Sequence, residues 1–270
     1  MATTLWGAAD EAAWASAWAS YDSVLASVQK SELAELDGWY LASFPPILRA
    51  REPEPFVQKQ ELQRLMEWKL KKGKWRPQLM KFVAGLGESD VEQASRDAFK
   101  RLKAGDLRAA TEALCTLKGV GPATASAVLA AHDQSAPFMA DEALEAIAGV
   151  IGPRKYTLPH FLSFAEQLRA KAEWLNEQRA ANDDEKAGAT EVWTAQRVQL
   201  CLYAAAHAGA AAAPVNKKTK APSPAAKRKR EKTTTPPSAK KKEKKVKDEN
   251  AEEQDRPLRR SQRKRQSPTP

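Results

Sequence analysis

A chain of 270 residues with 42% apolar side chains can bury the core of one large or two small domains. It contains no apolar run near the roughly 18 residues of a membrane span, and its start, MATTLWGAADEAAW, lacks the basic stretch and unbroken apolar block of an export signal, so neither membrane nor export is expected. The net charge of +10 is concentrated at one end: residues 214–270 hold 20 Lys+Arg against 7 Asp+Glu, leaving 24 against 27 in the first 213.

Residues 1–213 read as one all-α domain. The segments DEAAWASAWASYDSVLASVQ, VQKQELQRLMEWKL and DVEQASRDAFKRL place apolar residues near a 3.6-residue period, as do SFAEQLRAKAEWLNEQ and EVWTAQRVQLCLYAAAH further on, and none alternates as a half-buried strand would. Pro45-Pro46, Gly73 and Gly105 are expected to punctuate the helices, Ser89 with Glu92 to form a capping box, and Asp106 and Thr157 to act as N-caps. Residues 67–81, EWKLKKGKWRPQLMK, interleave Trp68 and Trp75 with six basic residues. Two readings of this stretch stay open. Lys69, Lys71, Lys72, Lys74, Trp75 and Arg76 form a phosphate-tracking and base-stacking surface, or the tryptophans are core and the lysines a solvated face.

From Asp106 the spacing predicts a helix through Leu117, a turn over KGVG, and a second helix PATASAVLAAH with Pro122 at its first position, where the missing N–H costs nothing. Val120 is expected to pack inward. The amides near Gly119, Gly121 and Ala123 are expected to face outward from a helix N-terminus, which suits an anion.

These residues carry a resemblance. LKGVGPATASAVLA, within 106–132, resembles the helix-hairpin-helix of the DNA glycosylase superfamily that includes endonuclease III, MutY and the eight-oxoguanine glycosylases. The resemblance implies a helical glycosylase-like domain with DNA as partner, whose backbone phosphate is gripped by Lys118, Gly119, Val120, Gly121 and Ala123. It also implies a catalytic aspartate after a short apolar loop. Asp141 stands 20 residues beyond Gly121, behind PFMA. The position at which bifunctional members carry a Schiff-base lysine is Ala123, which implies a monofunctional enzyme that hydrolyses the N-glycosidic bond; Asp141 is followed by Glu142-Ala143 where many active members place a small or β-branched residue and then histidine. Three readings remain open: a monofunctional DNA N-glycosylase, a DNA-binding or chromatin-associated protein of the same fold that lacks the reaction, and a helical scaffold in which Asp141 is an N-cap and Gly-Val-Gly a turn.

No cofactor or metal is expected. Cys115 and Cys201 cannot make a four-cysteine site, both fit a reduced interior, and His132, His160 and His207 have no ligand spacing and read as structural. The tail, 214–270, has no aromatic residue and is expected to be disordered. Its basic clusters, led by Lys227, Arg228, Lys229 and Arg230, read as nuclear-import signals, which sets the expected location as the nucleus. Ser-Pro and Thr-Pro pairs at 223, 235, 267 and 269 are candidate phosphorylation sites that would lower its charge. The chain is expected to be a monomer.

Overall fold

A computed structural model describes residues 5–28, 30, 32–182 and 192–211. Residues 214–270, with Lys227, Arg228, Lys229 and Arg230, lie outside the described residues. The architecture is all-α, with no strand among the described residues, and no described helix is long and apolar enough to cross a membrane.

The helices are α1 (Glu11–Ala19), α2 (Tyr21–Ser27), α3 (Leu33–Gly38), α4 (Phe44–Arg49), α5 (Lys59–Lys72), α6 (Pro77–Ala84) and α7 (Glu88–Lys103). They continue with α8 (Leu107–Cys115), α9 (Pro122–His132), α10 (Asp141–Ala146), α11 (Ala148–Ile151), α12 (Leu158–Asn182) and α13 (Ala195–Ala211). Helix α9 is the hub. Its residues 124–131 are small or aliphatic apart from one threonine and one serine, and all are buried, as a helix apolar on every face must be. It packs against α4, α5, α7, α8 and α12. Helix α13 closes the other side against α1, α2, α10 and α12.

Several local expectations are met by specific hydrogen bonds. Asp106 caps α8 by accepting the Ala109 amide at 2.8 Å. Gly73 ends α5, and Gly105, at φ +83°, makes the left-handed turn between α7 and α8. Helix α12 begins directly after Thr157, whose carbonyl accepts the Phe161 amide at 3.0 Å.

Two expectations are corrected. Helix α7 starts two residues earlier than its sequence signal, with Gly87 as N-cap and no side-chain cap, so Ser89 lies inside the first turn and makes no capping box. The reciprocal cap is at α5, where Glu61 accepts the Gln58 amide at 2.8 Å. Pro45 and Pro46 do not break the chain's helical course either. They sit in the first turn of α4, directly after a π-helical segment (Trp39–Ser43), and the wider turn before them accommodates their missing N–H groups.

A buried ion pair joins these helices. Asp37 of α3 and Lys72 of α5 are 1% and 3% exposed and meet at 2.7 Å. Asp37 also accepts the Trp68 indole N–H at 2.7 Å and the Tyr21 hydroxyl at 2.8 Å, while the Lys72 ammonium lies 4.2 Å from the Tyr203 ring centre on α13. Removing one partner leaves an uncompensated buried charge. Lys72→Met is therefore expected to lower stability by about 3–5 kcal/mol, with part regained when Asp37→Asn is added, as read from urea unfolding of the full chain. A Lys72→Met protein as stable as the wild type would show that the pair does not hold these helices together.

Candidate active-site cleft

Three pieces of chain meet beside this pair. The first is the C-terminal end of α5 with the residues after it. Lys30 donates to the carbonyls of Lys72 at 2.8 Å and Gly73 at 3.2 Å, which satisfies the last carbonyls of α5 and fixes where residues 73–76 leave the helix.

The second is the turn between α8 and α9. Its two glycines answer different needs. Gly119 has φ +87°, and a Cβ there would sit 2.6 Å from Phe82 Cβ, so both conformation and packing require glycine. Gly121 has an ordinary φ of −106°, and a Cβ would meet nothing within 4 Å. Its glycine is required by neither, and it leaves the N-cap of α9 bare. Val120 is buried as expected, and the Gly119 and Gly121 amides donate to no described acceptor.

The third is the extended segment ahead of α10. The Phe138 amide donates to Gln196 Oε1 of α13 at 2.8 Å and the Met139 amide to Ser126 Oγ of α9 at 2.9 Å, so the hub helix and the closing helix together hold the strand-like approach to Asp141. Asp141 is the first residue of α10; Ala140 is the N-cap, with no side-chain cap bond. The Asp141 carboxylate is used elsewhere. It accepts the Tyr156 hydroxyl at 2.6 Å and pairs with Arg154 at 3.2 Å, and Arg154 also reaches Glu145 at 2.6 Å.

Between the three pieces lies a cleft of about 220 Å³. Asp141, Gly119, Gly121 and Ala123 line it, as do Lys69, Lys74 and Arg76. The structure thus brings together most of the site residues read from the sequence. Lys118 and Trp75 do not line the cleft; Lys118 lies 5.0 Å from the Phe82 ring centre, and Trp75 stands half exposed between Lys74 and Arg76.

The basic segment divides between its two readings. Trp68 is fully buried, stacked on Tyr40 at 3.6 Å, and Lys72 is spent on Asp37, so Lys72 is corrected from a DNA-facing to a core residue. Lys71 already holds two carboxylates, Glu32 and Glu67. Lys69 is different. Its amine has no hydrogen-bond or ion-pair partner among the described residues. Burial, then the Arg76 charge, lower it to about 8 against an opposing pull from Asp141.

Other titratable groups around the cleft are held neutral or paired. Burial, then the bond to Asp141, push Tyr156 up to about 12. Burial would raise Glu142, but its hydrogen bond with His207 at 3.1 Å, a backbone bond and the Lys72 charge outweigh it and lower the group. His132 stacks on Phe99 at 4.1 Å and His160 is buried, as structural residues. The thiols of Cys115 and Cys201 are pushed up by burial to about 11 and about 12, so neither is a thiolate nucleophile near neutral pH. Tyr156 and Arg154 carry no spacing signal, and only the fold brings them to Asp141, as it brings His207 to Glu142.

Compared with protein-family models, curated proteins and solved structures, the chain matches none.

All four tyrosines are raised by burial: Tyr21, Tyr40 and Tyr203 in the core and Tyr156 at the cleft. Folding thus favours the protonated phenol, so their contribution to stability is complete below the unfolded value near 10 and is lost as pH rises through the folded values. Ultraviolet titration of the native chain is expected to show no phenolate forming around pH 10, with all four ionising there in denaturant. A native step near pH 10 would contradict this packing.

Proposed function

We propose that the chain is a nuclear DNA-binding protein with a helical DNA-glycosylase-like domain, and that the cleft removes a base by hydrolysis of its N-glycosidic bond. The observation that carries this reading is Gly121. Glycine is needed there for neither backbone angle nor packing, yet the position lies at the N-terminus of α9 in the same cleft as Asp141. A bare N-cap flanked by unengaged amides suits close approach of a backbone phosphate. The α8–turn–α9 unit is on this reading the helix-hairpin-helix, with Lys118, Gly119, Gly121 and Ala123 as the phosphate grip and Val120 as its internal packing residue.

The target nucleotide has to leave the stack for its sugar–base bond to be reached. Asp141 then stabilises the positive charge that develops on the sugar and orients the attacking water. Its ion pair with Arg154 lies about a third exposed, so breaking that pair costs at most about 1 kcal/mol, and the Tyr156 hydroxyl has to release the other oxygen. Ala123 offers no amine, so the hairpin position itself supports hydrolysis alone. Lys74, Arg76 and Trp75 supply charge and a stacking face at the rim. The basic clusters of the tail support nuclear import and further nonspecific DNA affinity.

One observation favours the second reading, a DNA-binding or chromatin-associated protein without the reaction: both Asp141 oxygens already have partners, Tyr156 and Arg154. Release of free base from a panel of lesion-bearing duplexes separates the two. Base release is expected from the wild type, and Asp141→Asn is expected to reduce it by about 10²–10³-fold with duplex affinity unchanged. No release from any duplex, or full release by Asp141→Asn, selects the non-enzymatic reading.

The grip has its own test. Gly121→Val places a branched side chain in open space and is expected to weaken duplex binding more than Lys118→Ala does, with a cooperative melting transition retained. Undiminished affinity would reduce the Gly-Val-Gly stretch to a structural turn.

A further inference from the structure

Lys171 of α12 is held by three aromatic faces and by no oxygen. Its Nζ lies 4.4 Å from the ring centre of Trp174 on the same helix, 5.1 Å from that of Trp6 ahead of α1, and 5.8 Å from that of Trp14 on α1. The Trp6 and Trp14 rings stand at 74° to each other, so they make two walls of a corner and Trp174 makes the third. Trp14 is fully buried, while Trp6, Trp174 and Lys171 are partly exposed. Lys72 shows what a buried ammonium ordinarily receives in such a setting. It too lies among three rings, those of Tyr21, Trp68 and Tyr203, but it donates to the Asp37 carboxylate. Lys171 has no hydrogen bond or ion pair among the described residues.

We infer that Lys171 is a lysine methylation site and that Trp6, Trp14 and Trp174 form the cage that holds the methylated ammonium within the same chain. The inference is independent of the DNA reading. A primary ammonium keeps three N–H donors in need of acceptors, and ring faces serve them poorly. Methylation keeps the charge that the ring faces attract and replaces those donors with apolar surface, which is the combination an aromatic cage selects. The spacing fits the larger group. With a C–N bond of about 1.5 Å, methyl carbons pointing at Trp6 and Trp14 lie roughly 3.6 and 4.3 Å from those ring centres, close to ordinary van der Waals contact.

Burial lowers the basicity of Lys171, which leaves more of it as the free amine that methyl transfer requires. The methyl group comes from a sulfonium donor held by a separate methyltransferase. The Nζ electron pair attacks the methyl carbon, and the C–S bond breaks with its electrons kept on sulfur as a neutral thioether. The methylammonium that forms loses a proton to solvent before each further methyl is added. The flexible four-carbon stem of the partly exposed side chain lets Nζ swing out to that enzyme and return to the rings. Once methylated, the group ties Trp6 and α1 to α12, and both of those helices pack against α13.

The test has two arms, both on the full chain. In the first, protein isolated from the cells that make it is digested and the peptide carrying residue 171 is read by mass spectrometry. Methyl groups localised to Lys171 are expected; an unmodified Lys171 in that protein overturns the methylation site. In the second, the native chain is dimethylated on its accessible amines with isotopically labelled formaldehyde and a borane reductant, and carbon–proton nuclear magnetic resonance spectra are recorded. The Lys171 methyl signals, identified by their loss in Lys171→Arg, are expected upfield of the pooled signal of the exposed lysines, because they sit over indole faces. They are expected to return to that pool in Trp6→Leu and in Trp174→Leu, each checked for a cooperative melting transition. Wild-type Lys171 signals inside the pool overturn the cage even where a tryptophan variant fails to fold, as does a Lys171 that the reagent leaves unmethylated.

Discussion

The cleft depends on one buried charge pair. Asp37 and Lys72 lie where water cannot reach them, and the cost of desolvating both is offset only because Asp37 also accepts from Trp68 and Tyr21 and Lys72 lies against the Tyr203 ring. The set spans α2, α3, α5 and α13, elements far apart in sequence. It fixes the last turn of α5, and that turn carries Lys69 and the exit of residues 73–76. Trp68 extends the same network through Tyr40, whose hydroxyl bonds the Ala127 carbonyl of the hub helix at 2.8 Å, and through Phe138 at 5.0 Å in the segment that delivers Asp141. One core network therefore reaches all three walls of the cleft.

Around the cleft the chemistry is divided between groups that are spent and groups that are not. Tyr156 and Arg154 satisfy Asp141 in a partly exposed setting where exchange for a ligand is cheap, whereas Asp37 and Lys72 are satisfied in a buried setting where exchange is not. Lys69 and the amides of Gly119 and Gly121 have no partner among the described residues.

Much of this was legible in the sequence, for local reasons. The helical period, the cap at Asp106, the glycine turn and the inward Val120 each depend on residues a few positions apart. The 20-residue step from Gly121 to Asp141 was legible only through the family resemblance; in the structure the Met139 bond to Ser126 holds that segment so that both residues line one cleft. What the sequence could not resolve was long-range. Trp68, Lys69 and Lys72 look alike within a basic-aromatic run, and only the partner Asp37, brought by a different helix, separates a core lysine from an unpaired one. Gly87 displaced the Ser89 capping signal by two residues, and a π-turn absorbed two prolines that read as a break. The partners of Asp141 are Arg154 and Tyr156, where the sequence gives no reason to expect convergence on that carboxylate.

The central claim is that phosphate and sugar are held by the cleft formed between the end of α5, the Gly119–Gly121 turn and Asp141. Nuclear magnetic resonance titration of the full chain with a short duplex carrying an abasic-site analogue tests it most directly. The account predicts that the amide signals of Gly119, Gly121 and Ala123 and the side-chain signals of Lys69 shift first and furthest. Shifts confined to another face of the described helices, with those signals unmoved at saturation, would contradict it.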